Sequence, residues 1–345
     1  MDMRISTLFY ATGFAIMVVW LLYIGQDLLL PIALGILTVY ILATSSTAVG
    51  RWPLMGRFPG IIHRLMVLLI FIVIVLLIAL MITNNIEYIL SQLPLYQANL
   101  QTIADDFAAR FGLDAMPSLD KVVGKWRDEL DIQSVALRAV GSISSVGSIL
   151  FMAMLYAGFL FSEIGSFRAK TLKALRTDAD QALGVVAEVN KRIGVYLTVK
   201  TIINIILAGV SFVIMWLMDI DSALFWAVMI GLMNYIPYVG SAIGVAFPVV
   251  LTLAQFGSLS WAILALILLM AVQTFVGNVL EPKMIGKSVN LSSFVVLVAL
   301  VFWTTLWGLP GAILSVPMTS VLMIVLAASK GTRPLAIMLS ADGDV

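Results

Sequence analysis

The feature that most constrains this chain is a set of six long apolar stretches separated by more polar segments. Each stretch holds about 16 to 18 residues, close to the roughly 20 that an α-helix needs to cross about 30 Å of hydrocarbon. Hydrophobic residues make up 61% of the chain and charged residues only 11%, too few charges for a water-facing surface. The six stretches are 7–24, 65–82, 146–161, 201–218, 261–276 and 291–306. The sequence therefore predicts an all-α polytopic membrane protein with about six spanning helices, two helical hairpins interpreted as re-entrant, and a helical extracytoplasmic segment.

The distribution of Lys and Arg predicts the orientation of these helices. With the N-terminus in the cytoplasm, 15 of the 20 basic residues fall in cytoplasmic segments, as the positive-inside rule requires. The other five lie in one long outer segment beside several acidic residues. A single miscounted span would reverse every assignment after it. Arg4 and the apolar run after it resemble a signal peptide, but no small-residue cleavage site follows 20–22, so we interpret the run as a retained first helix.

The polar segments divide the chain into regions. The first two helices are predicted to form an antiparallel pair joined by a turn at 25–28, with Pro31 near the start of the second. The predicted regions are N-terminal helices one to three (1–83), an extracytoplasmic helical segment (84–145), helix four (146–162), a cytoplasmic linker (163–199), a C-terminal transport core (200–328) and a cytoplasmic tail (329–345).

The two polar segments are predicted to be amphipathic helices. Apolar residues recur at helical spacing over 86–107, Pro94 is expected to interrupt the run, and Ser118 is a candidate N-cap for a second helix over 119–140. The outer segment could be a helical cap on the membrane surface or an oligomer contact. The linker 163–199 is interpreted as an interfacial helix held by its lysines.

An apolar stretch at 222–255 is interrupted in its middle by the residues 234–240 (NYIPYVG), which carry no charge. The two arms of about 14 and 15 residues reach only about 21 to 22 Å, less than the roughly 30 Å of the hydrocarbon core. A re-entrant hairpin that begins and ends outside therefore fits better than two full crossings.

A second stretch at 291–328 is interrupted at 308–311 (GLPG), with arms of similar but greater length, so two tilted spans would also fit. Gly240 is followed by Pro248, and Gly311 by Pro317, so the two tips match. The parity of crossings makes the hairpins enter from opposite sides, as in inverted-repeat transporters whose broken helices meet at a midplane site. The alternative is that these glycines and prolines only allow close helix packing.

Ionisable residues at membrane depth mark ion or substrate routes, and here they are scarce. No predicted span has an acid at its centre. Glu281 is the one reasonable candidate for the buried carboxylate on which a cation/proton antiporter relies. An equally good interpretation is that Glu281 pairs with Lys283 or with a helix end. Asn204, Asn234, Gln273 and Asn278 are uncharged and more typical of contacts between helices. With no cysteine, Walker loop, zinc motif or G-x-S-x-G elbow, the sequence predicts no enzyme activity, metal, cofactor or nucleic-acid partner.

The interrupted segments also resemble a known family. The run 232–240 (LMNYIPYVG) is similar to the hairpin tip of the autoinducer-2 exporter (AI-2E) family of bacterial inner-membrane transporters. The run 281–287 (EPKMIGK), then 291–292, and 308–311 with Pro317 resemble its C-terminal signature in order and spacing. One departure is that 43–46 (ATSS) stands where the family usually has a proline. The resemblance implies an inner-membrane carrier, with some members associated with autoinducer-2 export and others with sodium/proton antiport.

Three functions remain open on these grounds. The first is export of a small polar metabolite or signal such as autoinducer-2 along a path formed by the hairpin tips. The second is Na⁺(Li⁺)/H⁺ antiport at Glu281, and the third is a membrane scaffold. The expected partners are the lipid bilayer, a small-molecule or ion substrate and further copies of the chain. The candidate pathway residues are Asn234, Pro237, Tyr238, Gly240, Asn278, Glu281, Pro282, Gly308, Pro310, Gly311 and Pro317.

Overall fold

The computed structural model describes residues 5–50, 60–111, 147–160, 163, 166, 169–170, 172–174, 179–286 and 289–344. The regular elements within these residues are helices, and the helix predicted over 119–140 lies outside them. In chain order they are α1 (Ile5–Ile24), α2 (Gln26–Gly50), α3 (Gly60–Phe111), α4 (Gly147–Leu160), α5 (Ala179–Leu217), α6 (Ala223–Met233), α7 (Val239–Phe256), α8 (Leu259–Phe275), a π-helical turn (Val276–Leu280), α9 (Glu281–Ile285), α10 (Ser293–Ala327) and α11 (Arg333–Leu339).

The chain forms two compact units, each built from separate stretches of sequence. The first unit contains Met1–Ser45, Val146–Tyr196 and Lys287–Val345. The second contains Ser46–Ser145 and Leu197–Gly286. The two interrupted hairpins predicted from the sequence therefore belong to different units, the 222–255 hairpin to the second and the 291–328 hairpin to the first.

The helix surfaces are those of a multi-pass membrane protein. Along α3 the leucines at 69, 76, 77 and 80 are each about 60% exposed, as side chains that contact lipid would be. By length and composition, five described helices could cross a bilayer, and the bent α1–α2 pair raises this number to six. The predicted all-α polytopic fold is confirmed.

The predicted antiparallel pairing of the first two helices is wrong. Only Gly25 separates α1 from α2, and the two helices meet at an angle of 87°. The backbone N–H groups of Leu28 and Leu29 already donate to the Gly25 carbonyl, so α2 begins at once and no residues remain for a reversing turn. Pro31 lies inside α2, in its second turn.

The helix α3 continues far beyond its apolar stretch. It runs for 52 residues, about 78 Å at 1.5 Å per residue, whereas the hydrocarbon core is about 30 Å thick. The predicted boundary at 83/84 falls inside this helix, and Pro94 does not interrupt it, contrary to expectation. We call the part after the apolar stretch, residues 84–111, the α3 extension.

Residues 179–199 do not form a separate interfacial helix. They are the first half of α5, which runs for 39 residues without interruption into the apolar stretch 201–218. The linker and the span that follows it are therefore one helix over the residues described.

The first hairpin consists of α6 and α7 and returns to the side from which it enters. Its arms contain 11 and 18 residues, so the shorter arm reaches only about 17 Å. The two open ends are joined directly, because the Gln255 side chain accepts from the Asp221 backbone N–H at 2.8 Å and donates to the Asp219 carbonyl at 2.8 Å. Although α7 alone is long enough to span, it is one arm of this re-entrant hairpin.

The second hairpin is α10, which is broken at Gly308 (φ 63°, ψ −144°). The Trp303 indole N–H donates to the Thr319 hydroxyl at 3.0 Å across the break. In a straight helix these residues would stand about 24 Å apart along the axis. The chain therefore reverses at Gly308 and forms a helical hairpin, a reversal that fits re-entrant arms and two tilted spans equally well.

Candidate functional site

The tip of the first hairpin is a tight turn formed by residues 234–238 between α6 and α7. The backbone N–H of Ile236 donates to the Met233 carbonyl at 2.8 Å, and that of Gly240 donates to Ile236 at 3.1 Å. Tyr238 has a positive φ of 59° and projects outward, with 54% of its surface exposed. A Cβ at Gly240 would lie 1.7 Å from the Met233 carbonyl oxygen, so only glycine fits there.

Two further glycines bring helices into contact behind this turn. A Cβ at Gly231 of α6 would lie 3.1 Å from the Ala208 Cβ and 3.1 Å from the Asn204 carbonyl oxygen, both on α5. A Cβ at Gly244 of α7 would lie 3.4 Å from the Ile230 Cα of α6. The tip therefore packs closely against α5, which places the polar side chains of both elements within reach of each other.

Three buried carboxamides form a chain across this contact. The Asn234 Nδ2 donates to the Asn204 Oδ1 at 2.7 Å, and the Gln273 Nε2 of α8 donates to the Asn234 Oδ1 at 2.9 Å. The three side chains are between 4% and 8% exposed. We call Asn204, Asn234 and Gln273 the carboxamide chain; it links α5, the hairpin tip and α8.

Two atoms at the ends of the carboxamide chain make no hydrogen bond of ordinary length among the described residues, Asn204 Nδ2 and Gln273 Oε1, although the Asn204 amide interacts weakly with the neighbouring Tyr235 hydroxyl. Rotating all three amide groups by 180° would exchange donors for acceptors, and the Gln273 end would still lack a partner. A buried unpaired polar atom costs about 1 to 3 kcal/mol, so such atoms are uncommon in a helix contact built only for stability. The carboxamide chain therefore has a donor and an acceptor that could bind a further polar group within the membrane-spanning region.

Tyr235 adds a hydroxyl beside the carboxamide chain. Its hydroxyl shares a hydrogen bond of 2.7 Å with the hydroxyl of Thr201, one turn before Asn204 on α5. Thr201 also donates to the Leu197 carbonyl at 2.7 Å. The polar groups around the tip are thus two hydroxyls and three carboxamides, all uncharged.

An ion pair of the second unit lies next to this uncharged group. The Lys200 Nζ is 2.6 Å from the Glu281 Oε1, and the two side chains are 6% and 26% exposed. The π-helical turn directly precedes Glu281, whose backbone N–H donates to the Val276 carbonyl five residues earlier. The extra residue turns the side chains that follow by about 100° around the helix axis, as is frequent near functional sites.

The partner of Glu281 differs from the one that the sequence suggested. Its partner is Lys200 of α5, not the nearby Lys283, which is exposed on α9. Asn278 and Pro282 are also exposed, in the π-helical turn and in the first turn of α9. Of the three, only Glu281 turns toward the interior of its unit.

The tip of the second hairpin repeats the backbone arrangement of the first. A Cβ at Gly311 would lie 2.0 Å from the Trp303 carbonyl oxygen, so here too a glycine packs on a carbonyl of the first arm. Pro310, which has no N–H, lies in the first turn of the second arm, and Pro317 is buried within that arm. The Trp307 indole N–H donates to the Leu22 carbonyl of α1 at 3.1 Å.

The predicted site residues thus separate into three groups. Asn234, Pro237, Tyr238 and Gly240 belong to one turn, of which Asn234 alone enters the carboxamide chain. Asn278, Glu281 and Pro282 follow one another at the π-helical turn, and Gly308, Pro310, Gly311 and Pro317 lie in the other unit. The site prediction lacked Asn204, Gln273, Thr201 and Lys200, although isolated amides in apolar stretches were a signal for the first two.

Comparison with known proteins identifies the family. The model described as "AI-2E family transporter" matches residues 13–331, which include both hairpins. A putative transport protein of Borreliella burgdorferi is 30% identical over 260 residues, which cover 75% of this chain and 70% of that protein. The AI-2 transport protein TqsA of Escherichia coli is 24% identical over 319 residues, or 92% of this chain and 90% of TqsA.

A third relative matches a shorter part. The putative transport protein YhhT of Escherichia coli is 33% identical over 199 residues, which are 58% of this chain and 56% of YhhT. All three relatives are named as transport proteins. Since the family model covers nearly the whole chain, and both hairpins through which the sequence resembles the family are present, this multi-pass membrane protein belongs to the AI-2E family of transporters.

Proposed function

We propose that the protein exports a small, polar, uncharged solute such as autoinducer-2 across the bacterial inner membrane. The observation that carries the proposal is the carboxamide chain with its two unpaired atoms at the first hairpin tip. Polar side chains at membrane depth are costly and mark substrate routes. The name of the relative TqsA, an AI-2 transport protein, supports this class of solute.

The chemistry of the tip favours an uncharged solute. Amide and hydroxyl groups donate and accept hydrogen bonds but carry no charge to offset that of an ion. The charges of Lys200 and Glu281 offset each other, because their Nζ and Oε1 atoms are 2.6 Å apart. A solute rich in hydroxyl or carbonyl groups would fit the free donor and acceptor of the carboxamide chain.

The described arrangement corresponds to a closed tip. Asn204 Nδ2 and Gln273 Oε1 are both inaccessible to solvent, so a solute reaches them only if the hairpin moves away from α5 or α8. We propose that the contact with α5 at Gly231 is the one that opens.

The proposal is tested with purified protein in liposomes loaded with autoinducer-2, with the external concentration followed over time. We expect Asn234→Leu and Gln273→Leu to slow efflux at least tenfold, because each removes the hydrogen-bonding groups and leaves the other chain members unpaired. The matched control is Asn85→Leu, since Asn85 only donates to the Met81 carbonyl within α3. Wild-type liposomes that release autoinducer-2 no faster than protein-free liposomes would refute the proposal.

A second candidate function is cation/proton antiport at Glu281. It is favoured by the ion pair itself, since a carboxylate bound to a nearly buried lysine could exchange that partner for a proton or a metal cation. Liposomes with an internal pH dye distinguish it, because addition of sodium or lithium should then move protons in wild type and not in Glu281→Gln. Proton movement that is equal in both proteins would exclude Glu281 as the exchange site.

A further inference from the structure

Three polar side chains of the α3 extension lie on one side of that helix. Tyr88, Tyr96 and Asn99 are eight and three residues apart, which places all three within about 80° around the helix axis. Each of the three hydrogen-bonds to the open end of the first hairpin, which we call the hairpin base (residues 219–222 and 254–257). The α3 extension thus contacts the hairpin base.

At the beginning of the hairpin, the Asp221 carboxylate accepts hydrogen bonds from two tyrosine hydroxyls. The Tyr88 hydroxyl donates to its Oδ1 at 3.1 Å, and the Tyr96 hydroxyl donates to its Oδ2 at 2.9 Å. Tyr96 is 5% exposed and belongs to the core of this unit. Hydrogen bonds to a carboxylate are roughly twice as strong as those between neutral groups, so this end is firmly held.

At the end of the hairpin, Asn99 completes the last turn of α7. Its Nδ2 donates to the Ala254 carbonyl at 3.0 Å and to the Gln255 carbonyl at 2.7 Å. These carbonyls belong to the last four of a helix, which have no intrahelical donor. Gly257 follows with a φ of 59°, and a Cβ there would lie 3.4 Å from the Asn99 Cβ.

The two ends of the hairpin are in turn joined to each other by Gln255, through Asp221 and Asp219. The hairpin base is therefore a closed set of six hydrogen bonds with satisfied partners. The tip differs, because its contacts are glycine packing and a carboxamide chain with two unpaired atoms. The free energy of opening is thus expected to be much higher at the base than at the tip.

We infer that Tyr88, Tyr96 and Asn99 of the α3 extension are positioning residues that hold the hairpin base in place, so that the first hairpin opens at its tip during transport. This inference gives the α3 extension a function within one protomer. It rests on the proposed function, because the motion it describes is the one that would expose the carboxamide chain.

The absence of cysteine from the chain allows each end to be fixed by an introduced disulfide. The base is fixed by Asn99→Cys with Gly257→Cys, where the Cβ separation is 3.4 Å, and the tip by Ala208→Cys with Gly231→Cys, where it is 3.1 Å. Natural disulfides have Cβ separations of about 3.5 to 4.5 Å, so the base pair lies just below this range and the tip pair needs a small outward shift. Autoinducer-2 efflux is measured for each protein oxidised and then reduced, with the four single cysteine variants as controls.

We expect the oxidised base disulfide to leave efflux within about twofold of its reduced form, and the oxidised tip disulfide to lower efflux at least tenfold, with recovery on reduction. Loss of efflux in the oxidised base variant, recovered by reduction, would overturn the inference. So would unchanged efflux in the oxidised tip variant, or failure of the base cysteines to cross-link.

Amide hydrogen exchange of the wild-type protein supplies a second measurement that needs no variant and no solute. The backbone amides of 234–240 should exchange faster than those of 219–222 and 254–257. The reverse order would overturn the inference even if efflux is observed. If wild-type liposomes show no efflux, the proposed function fails while the exchange order still decides the inference.

Discussion

At the scale of single residues, the two hairpins depend on a glycine that packs against a backbone carbonyl. Gly240 lies on the Met233 carbonyl and Gly311 on that of Trp303, each seven or eight residues earlier in the chain. A residue with positive φ precedes each glycine, Tyr238 in the first hairpin and Gly308 in the second. The matching tips predicted from the sequence are therefore alike in backbone geometry as well as in residue type.

Gly240→Ala should destabilise the protein severely. The added Cβ would lie 1.7 Å from a backbone oxygen, which cannot move aside as a flexible side chain could. We expect a loss of at least about 2 kcal/mol in the free energy of unfolding, measured by thermal denaturation in detergent.

The matched control for Gly240→Ala is Gly209→Ala on the exposed face of α5, where no atom lies within 4 Å of the new Cβ. This variant should be as stable as wild type or slightly more stable, because alanine favours the helix. Equal melting temperatures for the two alanine variants would contradict the tight turn at Gly240.

The ion pair between Lys200 and Glu281 is asymmetric, because the lysine side chain is 6% exposed and the carboxylate 26%. Removing Glu281 leaves a buried charge without a partner, whereas removing Lys200 leaves a carboxylate that still reaches solvent. The two single variants should therefore differ in their effect on stability.

We expect Glu281→Leu to cost about 3 kcal/mol and Lys200→Met clearly less, with the double variant more stable than Glu281→Leu. A double-mutant cycle on thermal unfolding measures the coupling between the two side chains. The control is the exposed pair Glu163 and Lys170, whose side chains are 67% and 63% exposed and whose variants should change the melting temperature little. Additive effects of the Glu281 and Lys200 variants would show that the pair is not coupled.

At the scale of helices, the apolar stretches predicted which segments are helical but not where each helix ends. A hydropathy boundary marks where side chains become polar, whereas the helix ends only where backbone hydrogen bonding stops, and so α3 and α5 continue through their predicted ends. Pro94 lacks an N–H group, yet the helix passes through it. The 87° angle between α1 and α2 at Gly25 had no signal in composition.

The carboxamide chain shows the same limit at the site. Asn234 was predicted because it stands in an interruption of an apolar stretch, a purely local signal. Its partners Asn204 and Gln273 lie 30 and 39 residues away. Their pairing depends on the close contact at Gly231, which only the packed helices reveal.

The second hairpin depends on contacts between its arms, and the hydrogen bond from Trp303 to Thr319 tests them. Both side chains are buried, so Thr319→Val should leave the indole N–H unpaired and cost about 1 to 3 kcal/mol. Thr305→Val is the control, because Thr305 is exposed and donates only to the Val301 carbonyl of its own arm. Thermal unfolding compares them, and equal stability would indicate that the arms do not depend on this contact.

At the scale of the whole molecule, the hydrogen bonds of the hairpin base indicate which segments lie on the same side of the membrane. Both ends of the first hairpin bind the α3 extension, which follows the apolar stretch 65–82, so all three segments lie on one side of the membrane. This agrees with the parity count, which places the hairpin ends and the segment 84–145 together. Which side this is remains a prediction from the distribution of Lys and Arg.

Cysteine labelling measures the orientation, and the chain has no native cysteine to interfere. In intact spheroplasts, a membrane-impermeant maleimide should label Asp106→Cys on the exposed face of α3. Lys330→Cys, also exposed, should react only after the membrane is permeabilised. The opposite pattern would place the C-terminal tail outside and reverse the predicted orientation of the segments after α3.

The uncharged turn at 234–240 has an energetic consequence for a protein in an energised membrane. Moving one elementary charge through a potential of 100 mV requires about 2.3 kcal/mol, and none of the side chains in this turn carries a formal charge. A tip that swings through the bilayer therefore performs no electrical work. We expect its opening rate to depend on packing and hydrogen bonds and to change little when the membrane is depolarised.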